Sequence, residues 1–296
     1  MFGLNAKALR LQLPPDIQID LFEKIVVPTC LYGSEVWGYG NIEPLEIFFR
    51  KYIKRVLGLN KSTPNCIVYG EVGKYPLALE IQKRMISFWV NISEGKTMKL
   101  SSIFYKLIYR LHVNGTYDSP WLLKIKSILC HSGNPYFWYN QQQFVPKNFM
   151  NNIILQQLRT QYCQEWDFEL YRNRKCIIYR IIKPNHCFEQ YLIKLNFLQR
   201  RALCQFRTGN HRLPVTESRY KNEMVNISCK LCNNGDICDE FHVLFKCKYF
   251  EEKRKIFLKK FYYTRPSSMK MCSLFNSTYK QLSNLAKFTN YIMSKF

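Results

Sequence analysis

The feature that most constrains this chain is a set of four soft-metal side chains in order: residues 229–247 read CKLCNNGDICDEFHVLFKC, a C-x2-C-x9-H-x4-C pattern. Zinc takes four tetrahedral ligands, thiolate and imidazole suit it, and a C-x2-C turn can point two sulfurs at one ion. The candidate ligands are therefore Cys229, Cys232, His242 and Cys247. Asn233, Asn234 and Gly235 supply turn-forming residues that reverse the chain toward the second ligand pair. Protein fills all four positions, so the expected Zn2+ is structural and leaves no coordination site for substrate. Cys238 lies inside the loop as a reserve ligand, and Asp239 and Glu240 are placed to start the helix carrying His242 or to orient its imidazole.

The chain has 296 residues, 47% hydrophobic and 16% aromatic, ample for packed cores. Twelve cysteines in a chain of this size read as thiols and metal ligands rather than a disulfide framework. The eight without metal-like spacing, Cys30, Cys66, Cys130, Cys163, Cys176, Cys187, Cys204 and Cys272, are expected in the core. No apolar run reaches eighteen residues, and the start MFGLNAKALRLQLPPD lacks the apolar stretch of a secretory signal. The expectation is an intracellular protein of nucleus or cytoplasm, neither secreted nor membrane-bound.

Charge points to a partner. Lys and Arg number 44 against 21 acidic residues, a net +23, which implies a polyanion, and interleaved tyrosines and phenylalanines favour RNA or DNA over an anionic membrane. Just before the metal motif, QRRALCQFRTGNHRLPVTESRYKN packs Arg200, Arg201, Arg207, His211, Arg212, Arg219 and Lys221 around a Gly-Asn turn. Guanidiniums match phosphate geometry, so these seven are the expected nucleic-acid contacts. Lys246, Lys248, Lys253, Arg254, Lys255, Lys259 and Lys260 follow the motif and read equally well as a solvated helix face.

The fold expected is mainly α: a helical bundle-like N-terminal unit with a small C-terminal zinc-knuckle module. Leu45, Phe48, Phe49, Tyr52, Ile53, Val56 and Leu57 recur at helical spacing, with Asn41 as cap and Gly58 as stop. A second helix follows Pro76, with Leu77, Ile81, Met85, Phe88, Trp89 and Ile92 inward and Gly95 ending it. Ile103, Phe104, Leu107, Ile108 and Leu111 mark the inward stripe of a third. Ser119–Pro120 opens a helix that stops near Gly133, a longer one spans about 146–170, and the pattern resumes after Pro184 to end at Gly209. Cys176–Ile182 fits a short strand or a helix end. The polar, Gly/Pro-rich stretch 113–145 reads as a hinge, giving segments 1–112 (thumb-like helical region), 113–185 (helical connection), 186–265 (basic arm and knuckle) and 266–296 (C-terminal helix).

RTGNHRLPVTESRY, then CKLC, then GDICDEFHVLFKCKYF, resembles the C-terminal zinc-knuckle region of LINE-type, non-LTR retrotransposon reverse transcriptases. PTCLYGSEVWG at 28–38 and TPNCIVYGEVGKYPLALEIQKRMISFW at 63–89 are similar to the thumb segment that follows the polymerase palm in that family. The resemblance implies an element-encoded protein that binds RNA and target DNA while a polymerase domain copies one into the other; an intact retroelement protein is a further candidate partner. A palm needs paired aspartates for two magnesium ions, and Asp16, Asp20, Asp118, Asp167, Asp236 and Asp239 include no adjacent pair. No carboxylate cluster of an endonuclease follows the knuckle either. The expectation is a non-catalytic C-terminal portion with no small-molecule substrate; the competing class is a protein-interaction remnant or regulator without a direct nucleic-acid role.

Other motifs carry less. Ser34–Glu35 lies in no G-x-S-x-G elbow. Tyr32, Trp37 and Tyr39 read as core more readily than as base-stacking residues. Glu71 and Glu80 are expected to pair with Lys74, Lys83 or Arg84, and His112, His131 and His186 have no assigned role.

Overall fold

The computed structural model describes residues 11, 13–93, 100–141, 146–220, 226–232 and 234–296. Among them the chain is mainly α-helical and has no strand, only the isolated bridges Val72–Phe188 and Ser228–Ile237. No helix among these residues is long and apolar enough to cross a membrane.

Local signals place several helix ends. In the helix Glu43–Leu57, the Asn41 side chain accepts the Glu43 N–H at 3.0 Å. Gly58 takes φ +67° past its end, its N–H bonding Arg55 O and the Leu59 N–H bonding Lys54 O. That pair of bonds satisfies two orphan carbonyls, and it recurs at Gly73, Gly133 and Gly209. Ser119 stands before Pro120–His131 as expected but makes no side-chain cap bond. The long helix is Lys147–Arg172, and Cys176–Ile182 resolves as a 3-10 turn, Arg174–Cys176, running into the helix Ile177–Ile182. Gly95 lies outside the described residues.

The third stripe is largely turned outward. The helix Leu100–Val113 forms, yet Ile103, Phe104 and Leu107 are exposed and Ile108 and Leu111 only half-buried, while Ser102 and Tyr105 are buried. The reason is polar: the Tyr105 hydroxyl accepts the Trp89 indole N–H at 2.8 Å and donates to Gln141 Oε1 at 2.5 Å, and its ring stacks on Tyr109. Those partners are met only with Tyr105 turned inward, and the aliphatic stripe follows to the outside.

The cysteine and aromatic expectations also divide. Cys66, Cys176 and Cys204 are buried, Cys30, Cys163 and Cys272 half-buried, and Cys130 and Cys187 exposed. Cys130 sits opposite the inward stripe Leu122, Ile125 and Leu129 of its helix. Tyr32, Trp37 and Tyr39 are exposed rather than core, because the left-handed Gly33 turns the chain out and the Trp37 indole satisfies itself on Tyr32 O at 2.8 Å.

Contacts divide the chain into two compact units that cut across the boundaries at 112, 185 and 265. One comprises 24–49 and 75–165; the other takes the described part of 1–23 with 50–74 and 166–296. In the second, the helix Phe197–Arg207 packs along Tyr279–Met293, burying Leu203, Phe206, Leu285 and Phe288. Beside that seam lies a buried ionic network. Arg207 Nε is 3.0 Å from Glu71 Oε1, its Nη2 is 3.0 Å from Glu189 Oε2, and Lys183 Nζ is 2.5 Å from Glu189 Oε1. Tyr179 and Tyr191 donate their hydroxyls to Glu71, and burial raises both phenols well above their ordinary pKa. Two cations and two carboxylates cancel, which is what permits their burial. Glu71 thus pairs with Arg207 rather than Lys74, which reaches Glu23 at 2.6 Å; Glu80 does pair with Lys83 and Arg84. Gly73 makes the network possible: a Cβ there would meet Phe188 N at 2.3 Å, so only glycine lets the 187–189 segment lie alongside.

Candidate metal centre

Backbone pairing closes the loop that carries the first two ligands. Cys229 N–H bonds Asp236 O at 2.8 Å and Cys238 N–H bonds Ile227 O at 2.7 Å, with Gly235 at φ +72° in the turn between. Asp239 then caps the next element, its Oδ1 accepting the His242 N–H at 2.7 Å. From His242 to Lys246 the backbone winds as a π-helix, and the Cys247 N–H bonds His242 O at 2.8 Å. This winding matters because positions i and i+5 on an α-helix lie about 140° apart around the axis. The wider π turn brings His242 and Cys247 to one side.

The result joins all four expected ligands. Cys229 Sγ, Cys232 Sγ, the His242 ring nitrogen and Cys247 Sγ lie within 4.8 Å of one another. Cys229 and Cys247 sulfurs are 3.9 Å apart, and Cys232 Sγ is 3.5 Å from His242 Nε2. A tetrahedral ion with bonds of ~2.3 Å to sulfur and ~2.05 Å to nitrogen sets these separations at about 3.8 and about 3.6 Å. The cluster can therefore hold one four-coordinate metal ion through Nε2 of His242. Cys229, His242 and Cys247 are buried and Cys232 half-buried. Burial opposes a Cys229 thiolate, but the amides of Cys232 and Leu231 aim at its sulfur and bring its pKa below the ordinary value. Cys238 is fully buried beside Cys229 and stands outside the four.

Neighbours hold this geometry in ways the motif did not show. Arg254 is buried, and its guanidinium spans three carbonyls: Nε donates to Leu244 O at 2.6 Å, and Nη2 to Cys247 O at 2.8 Å and Val243 O at 3.4 Å. It caps the π-helix that bears two ligands and places a positive charge by Cys247. The signal was legible, since Phe250, Phe257 and Leu258 flank Arg254 at helical spacing and mark its face as inward. On the imidazole's other side, Asp236 Oδ2 is 3.5 Å from His242 Nδ1, so Asp236, rather than Asp239 or Glu240, faces the ring.

The basic block upstream is largely structural. Arg207 belongs to the buried network described above. Arg219 grips Glu240 bidentately, Nη1 to Oε1 at 2.5 Å and Nη2 to Oε2 at 2.9 Å. His211 Nε2 is 3.2 Å from the same carboxylate, while its Nδ1 accepts from Thr216 Oγ1 at 3.0 Å. Together they hold the buried Glu240 carboxyl at a pKa of about 2 against the opposing effect of burial. Arg200 is buried and donates to Leu13 O at 3.1 Å. Four of the seven expected contacts are thus taken up inside the fold, Lys221 lies outside the described residues, and Arg201 and Arg212 remain exposed. Burial reverses the expectation because Glu71, Glu189 and Glu240 lie where only the tertiary fold brings them. Around the metal cluster, Lys246, Lys248, Lys253 and Tyr249 are exposed. No protein-family model matches the chain, and no curated protein and no solved structure matches it.

Proposed function

We propose that this chain is a non-catalytic nucleic-acid-binding module with one structural zinc ion, of the kind that stands C-terminal to the polymerase in LINE-type reverse transcriptases. The observation that carries the reading is the closed cluster of three thiolates and one imidazole inside a chain of net +23. Three sulfurs and a nitrogen at tetrahedral spacing favour zinc over hard cations, and a fully protein-ligated ion has no position for substrate. The exposed Lys246, Lys248, Lys253, Arg201 and Arg212 then supply phosphate contacts, with Tyr249 as a stacking surface.

The test is fluorescence anisotropy with single-stranded RNA and duplex DNA over a salt series, on wild type, on Cys232→Ser and with a zinc chelator. The expected result is affinity falling steeply with salt and at least about tenfold weaker binding without the metal. Binding insensitive to both salt and zinc overturns the reading. A second reading, a protein-interaction module, is favoured by the exposed apolar face Ile103, Phe104 and Leu107. It gains if nucleic-acid binding is absent and Phe104→Asp abolishes self-association or capture of an intact element protein.

A further inference from the structure

The unit that contains the metal cluster also contains a cavity of about 120 Å³ that the cluster does not use. Its lining includes the buried Leu57, Leu192 and Cys204, which form the floor, the buried Arg200, and the exposed Arg55 and Arg201 toward solvent. Arg200 is fixed by Leu13 O and lies over the Phe197 ring at 5.6 Å, with Asp16 as the nearby carboxylate. Gly58 shapes the mouth: it takes φ +67°, and a Cβ there would stand 3.4 Å from Arg201 Nε, so the Arg201 side chain lies directly over this glycine. The turn is held from below, since Asn210 Oδ1 accepts from Asn60 N–H at 2.8 Å and from Thr63 Oγ1 at 2.9 Å.

An apolar floor under a guanidinium mouth suits a ligand with a flat ring and an anion. A void of ~150 Å³ accommodates benzene, so this smaller volume has no room for a two-ring base, and a single ring seats in it with one edge left in the open mouth. Arginine meets phosphate with paired donors and meets ring faces by stacking. We propose that this cavity binds one pyrimidine nucleotide of a single strand, base on the apolar floor and phosphate on Arg201. The proposal rests on the nucleic-acid reading above and locates a specific contact for it.

Calorimetric titration of the zinc-loaded full chain with uridine 5′-monophosphate, adenosine 5′-monophosphate, uridine and inorganic phosphate tests it. Uridine 5′-monophosphate should bind at least about fivefold more tightly than the other three, and Arg201→Gln and Val56→Trp should each weaken it about tenfold. Arg201 and Val56 are not fully buried, so both variants should keep the wild-type circular dichroism spectrum. No binding of uridine 5′-monophosphate, equal binding of inorganic phosphate or the purine nucleotide, or indifference to both substitutions overturns the proposal. Oligonucleotide binding by the same variants separates the two readings. If it survives while the mononucleotide site is absent, only the pocket falls; if the mononucleotide binds through Arg201 and no oligonucleotide does, the pocket stands and the module reading falls.

Discussion

Arg207 and Glu71 are 136 residues apart and meet with neither side chain exposed to solvent. Removing one partner leaves an uncompensated buried charge, so Arg207→Met should cost about 3–5 kcal/mol in urea unfolding, and adding Glu71→Gln should recover part of it. A loss under 1 kcal/mol would mean the pair is solvated. His186 gives a pH prediction. It packs edge-on to Trp166 at 5.1 Å, and burial, with the Lys183 charge second, lowers its pKa from 6.5 to about 4. Between those values the unfolded chain binds a proton that the folded chain does not, so stability falls as pH drops through this window and is fully present above it. His186→Asn should flatten the change in urea midpoint between pH 7 and pH 5; identical slopes in variant and wild type would refute the assignment.

At the scale of elements, the π-helix His242–Lys246 and its Arg254 clamp decide whether two ligands can face one ion. Arg254→Met keeps the stem but strips three carbonyls of their donor, so metal affinity in a chelator competition should fall about 10–100-fold. Unchanged affinity would show that the π winding needs no clamp. The helix Leu100–Val113 offers a paired test of its inward face. Tyr105→Phe orphans the Trp89 N–H and Gln141 and should cost about 1–3 kcal/mol, whereas exposed Leu107→Ser should stay within about 0.5 kcal/mol. If the order of these two costs is inverted, the aliphatic stripe is the buried one after all. The sequence announced this helix by its period, but aliphatic periodicity and an aromatic with polar partners disagreed about its inward face, and the hydrogen bonds won.

For the whole molecule, metal removal should be felt beyond the loop, because Arg254 joins the π-helix to Glu251–Phe257, which packs on Tyr279–Met293. Calorimetry with and without chelator should show Tm lower by at least about 5 °C, since each kcal/mol moves Tm by about 2–4 °C at this size. An unmoved Tm would exclude a structural role for the ion. What the sequence determined by itself is local: the four ligands and their spacing, the glycine stops at 58, 133 and 209, and the helical class, all set by turn geometry, capping and short periods. Only the tertiary structure decided which cations face solvent. RTGNHRLP reads as a phosphate grip until Glu71, Glu189 and Glu240 appear beside it, because whether an arginine meets water or a carboxylate depends on partners that no local pattern contains. The π winding belongs with it: H-x4-C names two ligands, and only the packed backbone, held by Arg254, turns them toward the same point.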